Sequence, residues 1–481
     1  MLIRQAGINL AANVMSALLG LVSVSIFTRL FSPQDYGTYL LGAGFATVVS
    51  VFLVGWFRNL ILSGHARNDG TDVRGLVLSG YLLCCLAAPV AYGAGLSLGL
   101  DRTAALAAIT LAIAIGLFEL TQDLLRARLE AVAVMKATLV RAIAVLGLGT
   151  AAALLHPTGL VLLTAATLAV VIAILIQVRR AWGGTTIMFD RAGLAGVMRQ
   201  GLPLTVSLTL LAISGVTDRF MIANLVGAAD AGKYVAALDL VRQTLMIPAV
   251  SAAAAFFPIA VQIHATKGHA AVRAHLADCS ELLFGMILPA SLGLAVISPH
   301  VANVVLGADF RELAAQAMPI IAIAAIFQII TQQYLHASFL LSGRNLFYLI
   351  NTAVIIVANV VLCYALVSDY GTVGAAWARL GADVIGFVCA LVLSRFAFPV
   401  PLPFGRLSLV MVAGLAMALT VGAIDRHLDM GDLWACVALV GAGVVSCAAM
   451  YWLLDIARLR ERLKHGFALF RTTFANTNIG S

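Results

Sequence analysis

Apolar runs of about 20 residues recur along the whole chain, and that recurrence decides the solvent before any single residue is considered. By number they lie near 7–28, 37–57, 76–99, 103–125, 137–155, 159–178, 203–226, 235–257, 280–298, 315–341, 345–368, 372–394, 407–424 and 433–454, fourteen in all. A helix of that length crosses the roughly 30 Å of hydrocarbon in a bilayer. Hydrocarbon offers backbone amides no partner, so only helices and closed barrels survive there, and these runs are too long for barrel strands and lack their period-two alternation. Composition agrees: 62% hydrophobic and 11% charged residues, with a mean hydropathy of +1.01, leave too little polar surface to coat a soluble protein of 481 residues. The expectation is an all-α integral membrane protein of about fourteen transmembrane helices. The first run carries Asn9, Asn13 and Ser16 and no small-x-small cleavage site, so it is expected to stay as a spanning helix.

Orientation follows from the basic residues. With the N-terminus in the cytoplasm, 21 of the 30 Lys and Arg fall in inside connections, five outside and four within spans. That loop-by-loop bias predicts a multi-pass protein with both termini cytoplasmic and accounts for the net charge of +8, with no nucleic-acid partner implied. The seven cysteines and nine histidines show no metal-like spacing, so no metal site and no cofactor is expected.

No connection is long enough for a soluble domain on either face. The organisation expected is a first lobe of six spans (1–180), a cytoplasmic linker (181–202), a second six-span lobe (203–397), two further spans (398–456) and a tail (457–481) whose Leu459, Leu463, Phe467, Phe470 and Phe474 fit an amphipathic helix on membrane lipid. The two lobes carry one turn written twice. RLFSPQDYGTYLLG from Arg29 and NLVGAADAGKYVAA from Asn224 stand 195 positions apart and share Leu30/Leu225, Asp35/Asp230, Gly37/Gly232 and Tyr39/Tyr234. With an even number of crossings in each unit, the lobes are expected to be related by a pseudo-twofold along the membrane normal, and both turns to lie outside. Gly37 and Gly232 would permit a tight turn there, and Asp35 and Asp230 a capping bond.

The segments TRLFSPQDYGTYLLG, PLTVSLTLLAISGVTDRFMIANLVGAADAGKYVAALDL and YGTVGAAWARLGADV resemble the polysaccharide transporter, or O-antigen flippase, family of the multidrug/oligosaccharidyl-lipid/polysaccharide exporter superfamily. The resemblance implies two six-helix lobes around a central cavity. It also implies a function in cell-surface polysaccharide biosynthesis: moving an undecaprenyl-pyrophosphate-linked oligosaccharide from the cytoplasmic to the periplasmic leaflet of a bacterial inner membrane, beside polymerase or export machinery. A cation-coupled small-molecule antiporter of the same superfamily is the first alternative. A membrane glycan polymerase or ligase is an alternative of another class, and it would need a large external loop that the chain lacks.

Ionisable groups inside hydrocarbon cost about 2.5–3.5 kcal/mol each on insertion scales, so they mark cavities or partners. Arg141, Arg219, Arg242 and Arg379 lie within spans. As a set converging on one cavity they would suit a pyrophosphate, because guanidinium presents paired donors to its oxygens. Asp218, Asp239 and Asp383 stand beside three of them, so structural pairing with Arg219, Arg242 and Arg379 is an equal reading, and the same carboxylates, with Glu119 on span 4, are the candidates for ion coupling. Asn13 in the stripe Asn9, Asn13, Ser16, Gly20, Ser23, together with Gln328 and Gln332 in a polar band that runs to His336, would meet sugar hydroxyls; close helix packing is the rival reading. The charge bias makes a topology prediction. Reporter fusions at Lys267 and Gly466 should read cytoplasmic and one at His427 periplasmic, and an inverted signal at any of them would refute the fourteen-span topology.

Overall fold

The computed structural model describes residues 2–66, 73–187 and 189–456, without the side chains of 2–11, 13, 59, 62–66, 255 and 265. Asn13 and the 457–481 tail therefore lie outside what is described. Among the described residues every regular element is a helix. Ten helices are long and apolar enough to cross a membrane, and one of these, Asn345–Phe396, is turned back at Gly371 (φ 57°) and makes two crossings. The bent pair Arg74–Cys85 and Ala88–Ser97 makes another, and the shorter Val14–Leu30 and Gly159–Leu175 bring the crossings to the expected fourteen.

In order, span 1 is Leu2–Leu30, span 2 Pro33–Ala66, span 3 the bent pair, span 4 Arg102–Ala127, span 5 Ala131–Leu155 and span 6 Gly159–Leu175. Span 7 is Arg191–Ser214 with Thr217–Leu225; spans 8 and 9 run from Ala228 to Val305 and are parted at Gly268 (φ 78°). Span 10 is Ala308–Leu341, spans 11 and 12 are the two arms of Asn345–Phe396, and spans 13 and 14 are Phe404–Asp425 and Asp432–Leu453. The helix of span 7 starts at Arg191, well inside the stretch expected as linker 181–202. Pro203, Pro258, Pro289 and Pro319 are carried inside continuous helices, whereas Pro89 marks the restart of span 3. Helix starts are fixed locally: the side chains of Ser32, Asp101, Thr158 and Asp190 each accept one of the first free amides.

The duplicated segments meet each other, not as tight turns: Gly37 and Gly232 lie inside the helices Pro33–Ala66 and Ala228–Val241 without positive φ, and the second helix has no side-chain cap where Asp230 was expected to make one. A Cβ on Gly37 would stand 1.9 Å from the carbonyl oxygen of Ala228, and one on Gly232 would stand 2.6 Å from that of Pro33. In the 195-residue register Pro33 corresponds to Ala228 and Gly37 to Gly232, so the contact is reciprocal, as a twofold requires. Spans 2 and 8 thus cross glycine on glycine at the pseudo-axis. The Asp35 carboxylate accepts from the Ser32 hydroxyl (2.6 Å) and from the Gly159 amide (3.3 Å), tying span 2 to span 6.

This face, called upper below, is closed by two more cross-lobe contacts. Thr28 Oγ1 accepts from Gly307 N (3.0 Å), and Arg29 Nη2 donates to Val304 O (2.7 Å), clasping span 1 to the end of span 9. Opposite, the turn at Gly99 sits against Asn224 Oδ1 at the end of span 7. Toward the lower face, spans 2 and 7 touch through Gly55 on Thr205 and Gly201 on Trp56. Spans 13 and 14 pack on span 9. Arg406 Nη1 meets Glu281 Oε2 (2.9 Å) near one end, and His300 lies between Asp425 (2.8 Å) and Asp432 (2.7 Å) near the other.

Replacing Gly37 or Gly232 by Ala is expected to destabilise the protein by about 1–3 kcal/mol through overpacking at the crossing. Gly147→Ala, where an added Cβ meets nothing within 4 Å, is the control. Thermal unfolding of the purified variants in detergent checks this, and equal stability of all three would refute the tight crossing.

Candidate functional site

Arg379, on the upper half of span 12, is 6% exposed and holds two carboxylates at once. Its Nε donates to Asp383 Oδ2 at 2.9 Å, one turn along the same helix, and its Nη1 donates to Asp218 Oδ2 at 3.0 Å on span 7. Tyr234 on span 8 donates its hydroxyl to the same Asp218 oxygen (3.0 Å). Asp218 and Tyr234 are fully buried, so the cluster ties three spans together away from water. Arg219 Nη2 reaches Asp239 Oδ1 at 3.5 Å, a second tie between spans 7 and 8.

Neighbours in sequence are not always the partners. The Arg379–Asp383 pair forms as the i,i+4 spacing predicts, but Asp218 takes Arg379 instead of Arg219, and Asp239 takes Arg219 instead of Arg242. Asp218 and Arg219 are adjacent, and adjacent side chains on a helix point about 100° apart. The second exchange is tertiary: Arg242 still bonds back through its amide to Leu238 and Asp239 in α-helical register, but its side chain lines the second-lobe cavity, and Asp239 is met by Arg219 from span 7.

Two intramembrane arginines are left without a carboxylate among the described residues. Arg242 lines a cavity of about 200 Å³ in the second lobe, walled by Gln328, Gln332 and Gln333 of span 10, Ser214 and Gly215 of span 7, and Arg379 and Asp383. A second π-helix, Thr331–Leu335, borders the same cavity from span 10. Arg141 lines a cavity of about 310 Å³ in the first lobe with Ser16, Gly20, Ser23 and Thr47, and with Asp239 and Gln243 from span 8. Its guanidinium lies 4.8 Å from the centre of the Phe118 ring, a cation–π contact. The two cavities correspond in the repeat, Ser16 to Leu211, Gly20 to Gly215 and Thr47 to Arg242.

The four arginines therefore do not converge on one cavity. Arg141 faces one, Arg242 and Arg379 another on the far side of span 8, and Arg219 is held by Asp239. The remaining sequence candidates divide as follows. Ser16, Gly20 and Ser23 face the first cavity, and Gln328 and Gln332 the second. His336 is buried against Asn351 (2.9 Å), a packing contact. Glu119 lies with Asp123 on Arg58 (3.3 and 3.0 Å), which neutralises it from span 2.

Gln243 was not singled out from the sequence, although an amide next to Arg242 in an apolar run is visible there. Its side chain rests on Gly20, where a Cβ would come within 2.3 Å, and so fills the seam between spans 1 and 8. Its Oε1 is a buried acceptor without a partner. Among the described residues no three His, Cys, Asp or Glu side chains gather to hold a metal ion. Guanidinium groups outside any ion pair among the described residues, beside hydroxyls and amides within spans, suit an anion that also carries hydroxyl groups.

Residues 2–264, just over half of the chain, match the family model described as polysaccharide biosynthesis protein. No curated protein sequence matches the chain. Among solved structures it is similar to the lipid II flippase MurJ in an inward closed conformation, with a TM-score of 0.77 at 14% identity over 92% of this chain and 98% of that one. An inward-facing MATE family multidrug transporter of the MOP superfamily follows with a TM-score of 0.57 at 18% identity, covering 84% and 95%. The Vibrio cholerae MATE transporter VcmN gives 0.56 at 14%, covering 82% and 96%.

Removing one member of the buried cluster strands the others. Arg379→Gln is expected to cost about 3–5 kcal/mol by leaving Asp218 and Asp383 without their cation, while Arg242→Gln leaves folding stability near wild type. Thermal unfolding of both variants checks the division, and equal losses would refute it.

Proposed function

The chain belongs to the polysaccharide biosynthesis protein family, and on that premise we propose that it moves a polyprenyl-pyrophosphate-linked oligosaccharide across the bacterial inner membrane, from the cytoplasmic to the periplasmic leaflet. The observation that carries this reading is the division among the intramembrane arginines. Arg219 is paired with half-buried Asp239 and Arg379 with buried Asp218 and Asp383, whereas among the described residues Arg141 and Arg242 make no ion pair and face polar cavities. A guanidinium held in low dielectric with no carboxylate in ion-pair contact attracts an anionic guest, and pyrophosphate oxygens match its fork.

Among the described residues each lobe contributes one cavity-facing guanidinium outside any ion pair, so a pyrophosphate between them would be handed across as the lobes rock about the glycine crossing. Gln328, Gln332 and the hydroxyls of Ser16, Ser23 and Thr47 would exchange hydrogen bonds with sugar. The upper face, periplasmic in this reading, is closed by the Arg29–Val304 and Thr28–Gly307 contacts, and release requires them to part. The similarity to a structure titled lipid II flippase supports a lipid-linked substrate. In the cell the product would feed periplasmic polymerisation and export. Coupling to a cation or proton is a second reading, favoured by two buried carboxylates, Asp218 and Asp383, that share the one Arg379 guanidinium. A polymerase or ligase is disfavoured, because the longest upper connection among the described residues is 426–431.

In proteoliposomes loaded with a polyprenyl-pyrophosphate oligosaccharide, Arg141→Gln and Arg242→Gln are each expected to slow leaflet-to-leaflet transfer about tenfold or more, the equivalent of one lost charge-assisted bond. The Lys variants should fall between Gln and wild type. Unchanged transfer in both Gln variants, with intact folding, would refute the pyrophosphate role.

A further inference from the structure

Behind spans 2 and 7, on the faces turned away from the two polar cavities, lies a third cavity of about 670 Å³. Its walls are almost entirely hydrocarbon: Phe45, Val48 and Phe52 of span 2, Ala91 of span 3, Ile213 of span 7 and Ile356 of span 11 bound it. Two of the polar side chains at its edge are turned inward on their own helices, Thr217 Oγ1 donating to Ile213 O (2.8 Å) and Asn224 Nδ2 to Phe220 O (2.9 Å), and a third, Thr209, adds a single buried hydroxyl. Two helix breaks open it. Span 3 bends by 44° between Cys85 and Ala88, and span 7 is interrupted at Gly215 and Val216. Below, the Gly55–Thr205 and Gly201–Trp56 contacts shut the seam, so the space is confined to its middle and upper part.

This cavity shares both walls with the polar ones. On span 2, Ala43 and Thr47 face the Arg141 cavity while Val48 and Phe52 face the apolar one; on span 7, Ser214 and Gly215 face the Arg242 cavity while Ile213 and Val216 face the apolar one. The wall is thin at Gly44, where a Cβ would lie 3.4 Å from Val216 Cγ1. The repeat supplies the contrast. The seam between spans 1 and 8 is the pseudo-twofold counterpart of this one, and there Gln243 fills the gap; in the 195-residue register Val48 stands in its place. One seam is polar and the other apolar, as a guest with a polar head and a hydrocarbon tail demands.

We infer that the seam between spans 2 and 7 is the binding site for the polyprenyl tail of the lipid whose pyrophosphate enters the polar cavities. The inference rests on the proposed function and adds where the tail lies. A preformed apolar cavity stays dry and takes hydrocarbon, and this one adjoins the headgroup cavities through a single layer of helix.

Tail length is the variable that tests it. Purified protein in phosphatidylethanolamine and phosphatidylglycerol nanodiscs is titrated with undecaprenyl pyrophosphate and with geranyl pyrophosphate, which share a head and differ in tail. Ala91→Trp and, from the opposite wall, Ile356→Trp fill the cavity. Each is expected to weaken undecaprenyl pyrophosphate at least tenfold and to leave geranyl pyrophosphate unchanged. A benzophenone amino acid in place of Phe52 should crosslink the long-chain probe on illumination, and this holds as a test even where a Trp variant fails to fold. An unaltered long-to-short preference, an equal loss of both probes, or loss of co-purified phospholipid alone would overturn the assignment. Failure of the unmodified protein to bind either probe would instead sink the pyrophosphate reading itself, taking this inference with it.

Discussion

Everything else in the molecule is arranged around the place where two helices cross without side chains between them. Gly37 and Gly232 bring the backbones of spans 2 and 8 into direct contact at the pseudo-axis, each against the carbonyl that begins the other helix. In a membrane, helices gain little from burying apolar surface against one another, because lipid is as apolar as leucine. Close approach through small residues is therefore the principal source of attraction, and the crossing supplies it at the one point both lobes share. The cavities, the seams and the upper clasp all take their positions from it.

Charge is the second organising force. Asp218, Asp239 and Asp383 are held by Arg379 and Arg219, with Asp218 and Asp383 sharing Arg379, in a network that joins spans 7, 8 and 12, each pair meeting the cost of desolvation only because its partner is in place. The second lobe is in this sense stitched by ion pairs at its upper half. The corresponding region of the first lobe has Ser23 where the second has Asp218 and Gly44 where it has Asp239. Arg141 is thus left to an aromatic ring and a cavity, and its freedom follows from what its lobe lacks.

The fourteen crossings and the paired turns were legible in the sequence because both are local: a run of apolar residues and an Asp-x-Gly-x-Tyr pattern need no knowledge of neighbours. Arg379–Asp383 was legible for the same reason, being one helical turn. The Asp218–Arg379 bond was not, since 161 residues separate its partners and only the fold brings span 12 to span 7. Nor was the exchange of Asp239 from Arg242 to Arg219, because Arg219 stands 20 residues away on another helix and only the packing of span 7 on span 8 brings it near. The apolar seam escaped notice for a different reason. Val48, Phe52 and Ile213 read like any lipid-facing side chains, and only the bend in span 3 and the break in span 7 turn that surface into an enclosure.

The π-helix at Arg242 bears on how two copies of one unit come to differ. A π-turn holds one residue more than the α-turn it replaces, so every side chain that follows is swung by about a quarter of a revolution relative to its counterpart in the other copy. Past this turn span 8 presents a different face from the one an unbroken α-helix would present. Divergence between the halves was thus open to a change in length as well as to substitution: a single inserted residue re-aims an entire half-helix in one step, while each residue keeps its own chemistry.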